Sequence, residues 1–96
     1  MPKKDPNVII QVRVNLDRVR VSQRFIEVMY EIIAKNKRDV RNITDFCRIL
    51  DINKQKISAI RSSSRDVMLE DVISLCREFN VSATYLISGI GDRYIS

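Results

Sequence analysis

The stretch from Asn42 to Arg61, NITDFCRILDINKQKISAIR, limits the possible folds more than any other part of the chain. It reads as two short helices joined by a tight corner. Asn42 is placed to cap the first helix, with Asp45 three residues on as an acidic version of the capping box. Phe46, Cys47, Ile49 and Leu50 then form an apolar stripe at helical spacing. Asp51, Ile52 and Asn53 make the corner, where Asn53 can cap the second helix while Ile52 turns inward. Ile57 and Ile60 lie on one face of that second helix. Lys54, Gln55, Lys56, Ser58 and Ala59 lie on the others.

A short helix with an apolar back and a front of amide, hydroxyl, small and basic groups suits the major groove of DNA. Gln reaches adenine edges, Lys reaches guanine edges, and a small residue lets the helix sit close. The run Leu50-Asp51-Ile52-Asn53-Lys54-Gln55-Lys56-Ile57-Ser58-Ala59-Ile60 resembles the Leu-Gly-Ile-Ser-x-x-x-Ile-x-x-Ile pattern of the lambda-repressor-like helix-turn-helix family, the phage repressor and Cro type. Residues 69–91 resemble the fourth and fifth helices of the same family, so the resemblance covers roughly residues 22–91. It implies an all-α, compact five-helix DNA-binding domain. It also implies base contacts on double-stranded DNA from Lys54, Gln55, Lys56 and Ala59, with Ser58 beside them on the exposed surface; a homodimer is expected to read two half-sites. Some positions depart from the family. Asp51 stands for the turn Gly, and a positive φ there would be tolerated by Asp at some cost. Ile43 follows the first cap in place of a polar residue, Ser63 or a neighbour replaces a Gly, and Met68 replaces a Ser or Thr cap.

The charge is uneven. Residues 1–65 hold 15 Lys and Arg against seven Asp and Glu, a net of +8; residues 66–96 hold two against five, a net of −3. A basic front and an acidic rear suit a protein that faces a polyanion on one side. Ninety-six residues, 45% of them hydrophobic, make one domain with a modest core. No apolar run approaches the roughly 20 residues that span a bilayer, and no signal-peptide core follows the first residues, so a cytoplasmic location is expected. Cys47 and Cys76 sit on apolar stripes and read as buried free thiols. With no histidine, no phosphate loop and no acid–base constellation, neither an enzyme nor a metal or cofactor site is expected.

In chain order, residues 1–21 read as an N-terminal arm. Val8, Ile10, Val12, Val14 and Leu16 alternate with Gln11, Arg13 and Asn15, which predicts a strand over residues 8–16. A lone strand cannot satisfy its own backbone, so this one is expected to pair with its copy in a second subunit as a dimerisation ribbon. Residues 22–91 form the helix-turn-helix domain. Ser22 caps a first long helix with Phe25, Val28, Met29, Ile32 and Ile33 on its apolar face, and basic residues of the loop at 38–41 are expected near the DNA backbone. Leu69, Val72, Ile73, Cys76 and Phe79 give the next apolar face, and Ser82 caps a last helix that Gly89 ends. Residues 92–96 are a tail. Asn42, Arg61, Ser62, Ser63, Ser64 and Arg65 are the candidate phosphate contacts, through backbone amides, hydroxyls and guanidinium groups. A sequence-specific transcriptional regulator of repressor type is therefore expected. The alternative is a protein-interaction module on the same fold, antitoxin-like or an anti-repressor partner, favoured by the apolar strand and tail.

Overall fold

The computed structural model describes the backbone of residues 6–95 and the side chains of residues 17–95. Among the described residues there are five α-helices: α1 (Pro6–Ala34), α2 (Ile43–Leu50), α3 (Lys54–Arg61), α4 (Leu69–Phe79) and α5 (Ala83–Ser88). α1 lies against α2, α3 and α5, and α4 lies against α2 and α5.

The strand expected at residues 8–16 falls on positions that the described backbone includes in α1; their side chains, and residues 1–5, lie outside the described residues. A helix pairs its backbone groups within one segment, whereas a strand needs a neighbour. Among the described residues the only β pairing is a single bridge, Val81 to Tyr94. Ser22 is likewise not a cap. It sits buried inside α1, and its hydroxyl accepts from the Val67 backbone N–H at 2.9 Å. α1 thus runs across the expected division at residue 22.

The core is built where the apolar stripes meet. Phe25, Val28, Met29 and Ile32 come from α1, Phe46, Cys47 and Leu50 from α2, Ile57 from α3, and Val72, Leu75 and Phe79 from α4. Phe46 is the junction: its ring meets Phe25 edge-on at 6.0 Å and stacks on Phe79 at 6.1 Å. On α4 the inward stripe is Val72, Leu75 and Phe79. Leu69 and Ile73, expected inside, are 69% and 51% exposed. Apolar residues surround more of α4 than one stripe can bury, and the register that closes on Phe46 wins.

The corners obey cap chemistry. Asn42 Oδ1 accepts from Asp45 N–H at 2.8 Å, Asn53 Oδ1 from Gln55 N–H at 2.7 Å, and Ser82 Oγ from Tyr85 N–H at 3.2 Å. The Asp45 carboxylate reaches back one residue further than a capping box requires, accepting from Arg41 N–H at 3.1 Å. Asp51 adopts φ 55°, and the Ile52 N–H bonds to the Cys47 carbonyl at 3.0 Å, a Schellman close to α2 with Asp at the usual glycine position. At Gly89, φ is 76° and the Arg24 guanidinium lies 2.7 Å from where a Cβ would stand. That guanidinium donates to the Leu86 and Ile87 carbonyls at 3.1 Å each and so ties α1 to the end of α5.

The tail folds back onto the body. Ser82 N–H bonds to the Arg93 carbonyl at 2.7 Å, and Ile95 N–H to the Asn80 carbonyl at 2.8 Å. Arg93 pairs with Glu31 and, at 3.7 Å, with Glu27. The Lys37 ammonium lies 3.3 Å from the centre of the Tyr94 ring. Ile90 and Ile95 remain exposed.

Candidate nucleic-acid interface

The geometry of α3 follows from its two buried isoleucines. Ile57 is fully buried and Ile60 nearly so, three residues apart on one face. That fixes which residues turn outward. Lys54, Gln55 and Ser58 are exposed, and Ala59 is half-buried beside them. Lys54 Nζ donates to Thr44 Oγ1 at 3.3 Å, joining the start of α3 to the first turn of α2. Thr44, exposed and two residues past the Asn42 cap, is a candidate contact that the sequence reading passed over. Its signal was available: a short polar side chain beside the unpaired amides of a helix N-terminus.

Lys56 parts from this group. Its ammonium turns to the first turn of α4, 2.9 Å from Asp71 Oδ2 and 3.3 Å from Glu70 Oε1. Its side chain is only 13% exposed and lies against α4, apart from Lys54, Gln55 and Ser58, with which it was expected to face a base edge. The clue lay in the spacing, since Lys56 precedes Ile60 by four residues and shares its side of the helix.

The segment after α3 is a second Schellman close. Ser63 takes φ 62°, Ser63 N–H bonds to the Ile60 carbonyl at 3.1 Å, and Ser64 N–H bonds to the Ala59 carbonyl at 3.0 Å. Ser62 Oγ and Ser64 Oγ each lie 3.1 Å from that same Ala59 carbonyl. These two hydroxyls are engaged locally. Ser63, Arg61 and Arg65 are exposed at the surface. The Arg61 guanidinium sits 5.7 Å over the ring of Tyr30, which is 45% exposed on α1. Tyr30, Ser58, Arg61 and Ser62 line one shallow groove, so Tyr30 is a second candidate missed in the sequence, lying off the apolar face of α1. Asn42 is exposed, and its side chain is spent on its own helix cap.

In the basic loop before α2, Arg38 turns to α4. Arg38 NH1 donates to the Glu78 carboxylate at 2.8 Å and to the Glu78 carbonyl at 3.0 Å, and this partner holds the Glu78 carboxyl below its ordinary range. Burial pushes both thiols up, with Lys54 tempering Cys47, so neither is a ready nucleophile. Among the described residues no three His, Cys, Asp or Glu side chains converge as a metal site, and no helix is long and apolar enough to cross a membrane. No family model, curated protein or solved structure matches the chain.

Proposed function

We propose that this chain is a sequence-specific double-stranded DNA-binding regulator of the lambda-repressor-like type, a repressor that reads the major groove with α3. One observation carries the reading: Ile57 and Ile60 anchor α3 in the core while Lys54, Gln55 and Ser58 are exposed on its outer side. Exposed Arg61, Ser63 and Arg65 follow at one end of α3, and Thr44 flanks the other, as phosphate contacts would. The net charge of +5 agrees with a polyanionic partner. A homodimer would read two half-sites about one helical turn apart, without the strand ribbon first expected.

Selection of bound duplexes from a random pool tests the proposal. A recurrent motif, and affinity that falls steeply with salt, are the expected results. Replacing Arg65 by Ala should weaken all duplexes alike and flatten the salt slope by about one.

A second reading, a protein-interaction module, draws on Leu69, Ile73, Ile87 and Ile90, which are each more than half exposed. The groove that Leu69 and Ile87 help to line is formed without α3. Absence of DNA binding at low salt would favour this reading over the first.

A further inference from the structure

Two lysines on α3 have opposite fates. Lys54 is exposed, whereas Lys56 is directed inward onto a carboxylate. Its ammonium reaches Asp71 Oδ2 at 2.9 Å and Oδ1 at 3.1 Å, and the Asp71 side chain is only 7% exposed. Asp71 Oδ2 also accepts the Met68 backbone N–H at 3.2 Å, so the same carboxylate closes the first turn of α4. α3 otherwise packs on α1 and α2, chiefly through Ile57 and Ile60. Apolar burial of that kind is non-directional. It fixes which face of α3 turns inward and leaves the finer rotation about its axis to directional contacts. A nearly buried ion pair to a carboxylate locked in a helix turn is directional, and such pairs are better attested for setting register than for adding stability.

We infer that Lys56 and Asp71 are positioning residues, which set the roll of α3 against α4 and thereby the direction in which Lys54, Gln55 and Ser58 point. The DNA consequence rests on the proposed function, while the geometric one does not. A binding helix has to be held within about 10–20° of its productive orientation, so loss of the tie should cost sequence discrimination before it costs attraction to phosphate.

The test is the double variant Lys56→Met, Asp71→Asn in the full chain. It leaves no unpaired buried charge, and Asn keeps an acceptor for Met68 N–H, so folding should survive. Residual dipolar couplings on the DNA-free protein should show α3 turned or averaged relative to α4, while Lys54→Met leaves the wild-type couplings. On DNA, the ratio of affinity for the selected duplex over a mixed-sequence duplex should fall about tenfold or more, within the range that separates specific from non-specific binding. The salt slope should stay unchanged, and Lys56→Arg should keep the wild-type ratio. Couplings identical to wild type would overturn the inference. So would a salt slope lower by about one, the mark of a phosphate contact, or a loss confined to one base pair, the mark of a base contact. A wild-type chain without sequence preference would instead end the DNA reading, and the couplings would still decide the role of the pair.

Discussion

Replacing Gln55 by Ala separates the interface from the fold. Gln55 is exposed, and among the described residues its side-chain amide has no protein hydrogen bond. Its backbone N–H, bound to Asn53 Oδ1 at 2.7 Å, is untouched by the change. Ala is a slightly better helix former than Gln, worth a few tenths of a kcal/mol at most. Stability should therefore stay within about 0.5 kcal/mol of wild type, the usual band for surface substitutions. The binding effect should be much larger and local. A side-chain amide paired with an adenine edge discriminates by about 1–3 kcal/mol, which is about five- to 150-fold at one base pair. The assay is binding to a set of duplexes, each altered at one position of the selected motif, alongside thermal unfolding of the free protein. The variant should lose its preference at one position and keep the others. An equal loss on every duplex, or a fall in stability above about 1 kcal/mol, would refute the assignment of Gln55 to a base edge.

Other expectations follow from the core, the corner and the tail. Phe46→Ala removes the ring shared by Phe25 and Phe79 and should cost about 3–5 kcal/mol in denaturant unfolding; a loss under 1 kcal/mol would mean that Phe46 is not the junction. Asp51→Gly relieves a left-handed residue by about 1 kcal/mol and gives back up to a similar amount as unfolded-chain freedom. It should be neutral or mildly stabilising, and Asp51→Val should be clearly destabilising in the same unfolding assay. Burial and the neighbouring Glu31 carboxylate push the Tyr94 hydroxyl up to about 12 from its ordinary 10.0. Because the unfolded chain gives up that proton first, the stability tied to it is complete below pH 10 and drains as pH rises towards 12. The buried hydroxyl makes no hydrogen bond of good geometry, so Tyr94→Phe should be close to neutral at pH 7 and should flatten the alkaline loss. An unchanged alkaline slope in the variant would exclude Tyr94 as its source.

Legibility in the sequence tracked the range of the interaction. The caps at Asn42, Asn53 and Ser82 act within three residues, and each sits where its side chain and the following pattern place it. Asp51 was legible as a position that could demand a positive φ. The two isoleucines of α3 were legible from period alone. Failures came where tertiary partners decide. The alternation at residues 8–16 needs a neighbouring strand that a period-two pattern cannot itself supply, and the described backbone there is part of α1. On α4 the expected and observed faces share Val72 and Phe79, and tertiary packing buries Leu75 while leaving Leu69 and Ile73 exposed. Lys56 looks like its neighbour Lys54 until Asp71, fifteen residues away, is brought beneath it. The clamp of Arg93 on Glu31 joins residues 62 apart, beyond any local rule.

The most direct test follows backbone amide shifts while the protein is titrated with a duplex from the selected pool. Perturbations should concentrate at Lys54, Gln55 and Ser58, extend to Thr44, Ser63 and Arg65, and spare Leu69, Ile73 and Ile87. Shifts that instead gather on that α4 and α5 surface, with α3 silent, would contradict the claim that α3 is the element presented to DNA.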